Sequence, residues 1–238
     1  MHEADFNIFW NIIHDFFSAL FFCLQTHTVP YFTGRSRYAF PCKTGICKSY
    51  SFEEPPRIAL TFDDGPNARY TPILLDGLKK RNIRASFFLI GENIKGNEDI
   101  LLQMRKDGHL IGNHTWDHVQ LDKIPAEKAR LEIEKTNNRI YEASGIYPSY
   151  VRPPFGAWIK DMELSVTMLP VFWDVDTLDW KSKNIDSILS IAQKQVHDGS
   201  IILMHDGYQT SVDAALKIAD LFTEKGYVFV TADQLLLT

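Results

Sequence analysis

The chain has 238 residues and a formal net charge of -5 at pH 7, and 13% of its residues are aromatic. A chain of this length can bury one sizeable core, so we expect one main domain. The basic residues are scattered and form no stripe that could follow a phosphate backbone, which excludes nucleic acid as an expected partner. The aromatic content favours a packed globular chain over a disordered one.

Residues 1–56 precede the regular part of the chain and form a segment of their own. Residues 6–24 are rich in Phe and Ile, but polar side chains interrupt them, which a membrane span of roughly 20 residues tolerates poorly. Residues 16–24 have the length of the apolar core of a signal peptide, although no Lys or Arg precedes them. A secretory signal or anchor and an aromatic helix packed on the domain both stay open. A membrane is an expected partner only if an anchor is retained.

Two cysteines of this segment, Cys42 and Cys47, bracket the short loop CKTGIC, which a local disulfide could close. The third, Cys23, lies inside the apolar stretch. A disulfide would indicate an oxidising compartment, whereas unpaired buried thiols would fit a cytosolic protein.

From Arg57 onward, short apolar runs alternate with amphipathic segments. The runs that predict strands are residues 57–62, 85–90, 170–175, 200–204 and 227–231. Several of them are apolar throughout, as strands buried on both faces are. The alternation predicts an α/β fold with a parallel sheet, open or closed into a barrel. In either form, catalytic and ligand-binding residues lie at the C-terminal ends of the strands.

Three segments predict helices. Apolar residues recur at i, i+3, i+4 and i+7 from Ile185 and again from Ala215, so each segment presents one apolar stripe. Gly226 is expected to end the last helix. The charged segment 126–144 has a narrow apolar face, which is typical of a mostly solvated outer helix.

Asp63 and Asp64 come directly after the first predicted strand, in the stretch TFDDG of residues 61–65. An Asp-Asp-Gly-Pro sequence is by itself more typical of a turn. His114 and His118 follow another apolar run, in HTWDH, and their spacing predicts that they share one face of a helical turn. Two imidazoles and one carboxylate make an open metal site, although a lone His pair is a weak signal.

Three further stretches carry polar groups of interest. Arg152 precedes two prolines in RPPFG, on a stiff segment that suits a side chain holding a carboxylate. Residues 176–180, DTLDW, place carboxylates beside a Trp, and His205 ends the apolar run LMH. Without a functional role, Arg152 would be an arginine in a surface loop, residues 176–180 would be a polar loop, and His205 would be a histidine of the core. Together with the earlier motifs, these groups supply every role that a metal hydrolase requires.

In this order, the motifs TFDDG, HTWDH, RPPFG, DTLDW and LMH resemble those of the polysaccharide deacetylase family, carbohydrate esterase family four, whose shared unit is the NodB-homology domain. The residues in these motifs are most similar to those of the chitin deacetylase branch of the family. The likeness makes residues 57–238 the expected catalytic domain. It implies an α/β fold, a distorted (β/α) barrel in a single domain.

The resemblance also implies a role for each motif residue. Asp64, His114 and His118 would bind a divalent metal, usually Zn2+, with Co2+ as the alternative. Asp63 would be the general base, and Arg152 would orient it. Because successive side chains of a strand point to opposite faces, we expect Asp64 to face the imidazoles and Asp63 to face Arg152 and the attacking water.

The remaining residues are expected to serve the leaving group and the acetyl group. His205 would be the general acid with Asp179 as its partner, and Trp180 and Leu203 would line the pocket for the acetyl methyl. The backbone N–H of Phe155 would help to hold the oxyanion.

The implied activity is metal-dependent hydrolysis of N-acetyl groups from N-acetylglucosamine units of chitin or chito-oligosaccharides, with release of acetate. The segment between Gly156 and Trp173 is shorter than is usual for the family, which keeps open a weak or inactive wall or carbohydrate-binding protein. A deacetylase of peptidoglycan or O-acetylated xylan is a further alternative. We expect a monomer that is secreted or held at the cell wall or cell surface.

Overall fold

The computed structural model of the chain describes residues 54–159 and 167–236. The expected signal or anchor in residues 6–24 and the Cys42–Cys47 disulfide lie outside the described residues, as does part of the short segment after Gly156. These expectations stay predictions.

The described residues form a sheet of eight strands. These are β1 (Arg57–Gly65), β2 (Ser86–Leu89), β3 (Leu110–Asn113), β4 (Tyr150–Val151), β5 (Leu169–Pro170), β6 (Val175–Asp176), β7 (Ile201–His205) and β8 (Val228–Phe229). Their order along the sheet is β5-β4-β3-β2-β1-β7-β6, all pairs are parallel, and β8 pairs with the first residues of β1. The predicted parallel sheet is confirmed.

The sheet curls until its two edge strands come close together. Strands spaced about 4.8 Å apart would place β5 and β6 about 29 Å from each other in a flat sheet. Four residues, Val171 to Asp174, connect Pro170 at the end of β5 to Val175 at the start of β6. A chain of that length spans at most about 18 Å. The sheet is therefore a curled half-barrel, in agreement with the expected distorted (β/α) barrel.

Helices connect the strands. They are α1 (Thr71–Lys80), α2 (Glu98–Lys106), α3 (Ala126–Ser144), α4 (Asp179–Ser182), α5 (Ile185–Gln195), α6 (Gln209–Glu224) and α7 (Ala232–Leu236). The three predicted helices are confirmed as α3, α5 and α6, and Gly226 follows the end of α6 with a φ of 83°. α6 is not the last helix, because α7 follows β8. None of the helices in the described residues combines the length and the apolar character of a membrane span.

β1 is buried on both faces, and its side chains alternate between two environments. Leu60 and Phe62 belong to the main apolar core, together with side chains of α1, α5 and α6. Thr61 and Asp63 lie on the opposite face, where both hydrogen-bond with Arg152. The period of two along β1 thus delivers a carboxylate to the inside of the half-barrel, near the C-terminal edge of the sheet.

The strand predicted over residues 170–175 is wrong, because the chain leaves the sheet between β5 and β6. Pro170 has no N–H group with which to continue a ladder. The carbonyl groups of Val171 and Phe172 accept hydrogen bonds from Arg152, both at 3.2 Å. Val171 is fully buried in a small apolar cluster. Burial of Val171 and packing of Trp173 against the same cluster, and not strand pairing, account for part of this apolar run, whereas Phe172 is 44% exposed.

His109, just before β3, makes the fold sensitive to acid. Its Nδ1 accepts a hydrogen bond from the Ala85 N–H at 3.0 Å, and its ring meets Phe87 edge-on. Burial lowers the pKa of His109 from 6.5 to about 4. Below pH 6.5 the unfolded chain takes up a proton that the folded chain accepts only near pH 4, so stability falls as the pH drops through this window.

We expect His109→Asn to reduce this sensitivity, because the Asn amide oxygen can still accept the Ala85 N–H and does not titrate. Between about pH 8 and about pH 5, the wild-type chain should lose about 2 kcal/mol more free energy of unfolding than the variant. Urea unfolding at the two pH values measures the difference. Equal losses in the two proteins would contradict the expectation.

Candidate active site

The predicted site residues meet at the C-terminal edge of the sheet. Asp63 and Asp64 lie in β1, His114 follows β3, Arg152 follows β4, and His205 ends β7. The C-terminal ends of parallel strands meet at one edge. Residues that are far apart in the chain therefore converge here.

Asp64 faces the imidazoles of His114 and His118, and Asp63 contacts Arg152, as expected. The reason given for this, that the two side chains point to opposite faces of the strand, is wrong, because both carboxylates lie on the same side of the sheet. Asp63 Oδ2 and Asp64 Oδ1 lie 3.8 Å and 3.4 Å from the same atom, His114 Nε2. The pairing of β1 with β2 shifts register between Asp63 and Gly65, and Asp64 has a φ of 70°. A bulge of this kind re-aims a side chain that strand alternation would send to the other face.

His114 and His118 approach each other through a loop, and the predicted helical turn is wrong. Thr115 and His118 have φ values of 66° and 60°, which an α-helix does not allow. The two imidazole rings nevertheless lie 5.0 Å apart, and His118 Nε2 is 3.4 Å from Asp64 Oδ1. The structure therefore brings the predicted pair of imidazoles together by a different backbone conformation.

Asp64, His114 and His118 could together hold a metal ion. One ligand atom from each of them lies within 4.8 Å of the other two. Asp64 Oδ1 is buried and has no hydrogen-bond partner in the described part of the chain. His114 Nδ1 lies 2.7 Å from the Arg152 carbonyl oxygen, which fixes the ring with Nε2 toward Asp64. Two imidazole nitrogens and one carboxylate oxygen suit a divalent transition metal and leave coordination positions open.

The pKa shifts of Asp64 and His118 favour the protonation states that bind a cation. Burial raises the pKa of Asp64, but the nearby imidazoles of His114, His205 and His118 outweigh burial and lower the net pKa. Burial and the charge of His114 lower the pKa of His118, although Asp64 opposes them. An ionised carboxylate and a neutral imidazole are the forms that coordinate a metal.

Arg152 is fully buried and holds Asp63 in place. Its Nη1 donates to Asp63 Oδ1 at 2.9 Å and to the Thr61 hydroxyl at 2.6 Å. Its Nε and Nη2 donate to two carbonyls of the β5–β6 connection, and the guanidinium lies 4.3 Å from the centroid of the Phe88 ring. With one oxygen held in this way, Asp63 directs its second oxygen toward His114.

His205 is held by the buried carboxylate of Asp179. Asp179 Oδ1 lies 2.8 Å from His205 Nδ1, and Asp179 Oδ2 accepts the His205 backbone N–H at 2.9 Å. Burial opposes the protonated imidazole, but the hydrogen bond and charge of Asp179 outweigh it and raise the pKa of His205 to about 9. The other ring nitrogen, Nε2, lies 4.0 Å from Asp64 Oδ2. His205 could therefore give a proton to a group in the site.

The three residues predicted to contact substrate differ in exposure. Phe155 is 67% exposed, has a φ of 60°, and packs edge-on against the His118 ring at 4.9 Å. Trp180, the residue after Asp179, is 48% exposed, whereas Leu203 in β7 is buried. The exposed ring of Phe155 thus lies beside His118, and the exposed ring of Trp180 follows Asp179, which holds His205.

Two residues that support the motif side chains were missed by the sequence reasoning. The Thr61 hydroxyl accepts from Arg152 and donates to the Ile202 carbonyl at 2.7 Å. Asn113 is fully buried and accepts the Thr115 N–H at 2.7 Å, which shapes the histidine loop. Thr61 interrupts the apolar run of residues 58–62 and Asn113 ends the apolar run that begins at Leu110, and a polar residue in such a run is the signal that could have found them.

A family model described as polysaccharide deacetylase matches residues 52–171, which is half of the chain and includes three of the five motifs. The chain belongs to the polysaccharide deacetylase family. The resemblance stated from the motifs is confirmed by this match.

Similar members of the polysaccharide deacetylase family have names that refer to amino sugars. The peptidoglycan-N-acetylmuramic acid deacetylase PdaC of Bacillus subtilis is 41% identical over 178 residues, 75% of this chain and 38% of that protein. A peptidoglycan-N-acetylglucosamine deacetylase of Bacillus cereus is 38% identical over 200 residues, 80% of this chain and 73% of that protein. A chitooligosaccharide deacetylase of Rhizobium leguminosarum bv. trifolii is 35% identical over 154 residues, 63% of this chain and 71% of that protein.

A solved structure of the peptidoglycan deacetylase PdaC from Bacillus subtilis has the same fold. Its TM-score is 0.73 at 40% identity, with 76% of this chain and 90% of that chain covered. The match to the full PdaC sequence, in contrast, spans 38% of its length. The expected distorted barrel of a polysaccharide deacetylase is confirmed.

We expect Arg152→Met to lower the free energy of unfolding by about 3–5 kcal/mol, because it leaves the buried Asp63 carboxylate without its charged partner. Urea unfolding measures the loss. Arg81→Met is the matched control, since it breaks an Arg–Asp pair with the more exposed Asp220 and should cost less than about 1 kcal/mol. Similar losses in the two variants would contradict the importance of the buried pair.

Proposed function

We propose that residues 57–238 form a catalytic domain that hydrolyses N-acetyl groups of N-acetylglucosamine units in a polysaccharide or oligosaccharide and releases acetate. One observation carries the proposal: a candidate base and a candidate acid flank the same group of metal-ligand side chains. Asp63 Oδ2 lies 3.8 Å from His114 Nε2, and His205 Nε2 lies 4.0 Å from Asp64 Oδ2. Amide hydrolysis needs both proton-transfer groups beside a polarised carbonyl.

Asp64, His114 and His118 would hold the divalent ion, which we propose to be Zn2+, with Co2+ as the alternative. A bound ion of this kind polarises a carbonyl oxygen and lowers the pKa of water. The two nitrogen donors and the oxygen donor support this assignment, and so does the buried Asp64 Oδ1 without a hydrogen-bond partner.

Asp63 is the proposed general base. Arg152 holds its Oδ1 at 2.9 Å, so Oδ2 is the oxygen that faces the site and can take a proton from the attacking water. Arg152 does not touch the reacting atoms in this scheme. It is a positioning residue that keeps the carboxylate from rotating.

His205 is the proposed general acid. Its Nδ1 is bonded to Asp179, so the proton to be transferred is on Nε2, the nitrogen that faces the site. As the carbon–nitrogen bond of the amide breaks, Nε2 gives this proton to the leaving amine. The products are acetate and a free amino sugar, and Asp179 acts through His205 as its positioning residue.

The substrate contacts are proposed from the family pattern and from exposure. The backbone N–H of Phe155 would help to hold the oxyanion, and Trp180 and Leu203 would line the space for the acetyl methyl. The exposed rings of Phe155 and Trp180 support contact with a sugar, because aromatic faces provide apolar surface at low entropic cost.

Two polymers contain the proposed target unit. The residues of the five motifs favour chitin or chito-oligosaccharides as the substrate, whereas the names of two similar relatives favour peptidoglycan. We propose the N-acetylglucosamine unit as the target in either polymer. We therefore propose that the activity is located outside the cell or at its surface.

We expect the purified chain, with Zn2+ or Co2+ added, to release acetate from chito-oligosaccharides, from peptidoglycan, or from both. Mass analysis of the products identifies the sugar that loses its acetyl group. Acetylated xylan is the control, because acetate release from xylan alone would reassign the chemistry to ester cleavage. A metal-loaded chain that binds these glycans but releases no acetate would overturn the proposal in favour of a carbohydrate-binding protein.

A pair of matched variants should distinguish the proposed roles of the two neighbouring carboxylates, Asp63 and Asp64. Asp63→Asn should keep its affinity for Zn2+ and lose turnover by about 10²- to 10⁴-fold, because it removes the base and none of the three proposed metal ligands. Asp64→Asn should lose affinity for Zn2+, because it removes a charged ligand. Competition with a chelator measures the affinity for Zn2+, and acetate release at saturating Zn2+ measures turnover. An equal loss of metal affinity in both variants would contradict the division of roles.

A further inference from the structure

Glu132 of α3 holds the loop that connects His114 to His118. One carboxylate oxygen, Oε2, accepts the backbone N–H groups of Trp116 at 2.9 Å and of Asp117 at 3.1 Å. These two amides lie between the two imidazoles in the chain, and none of the five sequence motifs includes Glu132.

The loop needs a partner of this kind because its backbone is held in an unfavourable conformation. Thr115 and His118 have φ values of 66° and 60°. This left-handed conformation crowds the Cβ of an L-residue against a carbonyl oxygen, and it is rare for a β-branched residue such as Thr. A loop without its acceptor could relax to ordinary backbone angles, and the separation of the two imidazoles would change.

The side chain of Trp116 also packs this loop against α3. Lys135 Nζ lies 3.6 Å from the centroid of the Trp116 ring. The ring also closes the space beside Gly91, where an added Cβ would lie 2.5 Å from it. These contacts fix where the Trp116 side chain sits. The Glu132 carboxylate holds the N–H side of the two peptide groups, and the Gly91 and Glu92 N–H groups donate to their carbonyl oxygens at 2.9 Å and 3.0 Å.

We propose that Glu132 is a positioning residue of the metal centre, which sets the geometry of His114 and His118 through the amides of Trp116 and Asp117. The inference rests on the metal centre of the proposed function. Residues that orient metal ligands in this indirect way typically change metal affinity by about 10- to 100-fold when they are lost.

The test is the affinity of the metal-free full chain for Zn2+, measured by competition with a chelator. Two variants distinguish the effect of the length of the side chain at position 132 from the effect of its charge. Glu132→Gln keeps an oxygen at the same reach, and because one oxygen accepts both amides, its affinity should stay close to wild type. Glu132→Asp keeps the charge but is one methylene shorter, so its affinity should fall by about 10-fold or more. Glu142→Asp, at an exposed position of α3, is the matched control and should leave the affinity unchanged.

Wild-type affinity in Glu132→Asp would overturn the inference, and so would equal losses in Glu132→Asp and Glu132→Gln. Saturating Zn2+ should restore acetate release to Glu132→Asp, a recovery that general loss of structure would not allow. A wild-type chain that binds no Zn2+ would overturn both the metal centre and this inference. Zn2+ binding with the expected order of variants, but without acetate release, would support the role of Glu132 and overturn the proposed reaction.

Discussion

The buried ion pair between Arg152 and Asp63 is the interaction on which the rest of the site depends. A guanidinium without solvent contact needs protein acceptors, because an unpaired buried charge is costly. Its acceptors come from β1 in the middle of the sheet and from the β5–β6 connection, where the two edges of the sheet approach each other. One side chain therefore links the curl of the half-barrel to the orientation of the proposed base.

Left-handed backbone is concentrated around this ion pair. Asp64, Thr115, His118 and Phe155 all have positive φ, although none of them is Gly. Such conformations persist where the surrounding structure imposes them, and they often occur at functional sites. The bulge in β1 and the carboxylate of Glu132 are two such constraints. Ligand geometry at this edge of the sheet is thus a property of the folded domain and not of the short motifs themselves.

Local patterns predicted much of the fold because burial and periodicity are local signals. The charged segment 126–144 matches α3 at both ends, and the apolar runs at β1, β2 and β7 form strands. The prediction failed over residues 170–175, where Val171 and Trp173 are apolar because they pack in a small cluster and not because they pair in a strand. It also failed for the backbone of residues 114–118, because a spacing of four residues does not distinguish a helical turn from a loop with left-handed residues.

The sequence by itself determined which chemical groups the protein has and that they follow strand ends: two carboxylates, two imidazoles, an arginine and a further histidine. These are properties of residue type and of short patterns, which is why the family could be identified from five motifs. Only the tertiary structure decided that Asp64 turns to the same side as Asp63, and that Glu132 reaches the histidine loop. The physical reason is that these features depend on contacts between distant segments and on backbone angles imposed by those contacts, which the spacing of residues does not specify.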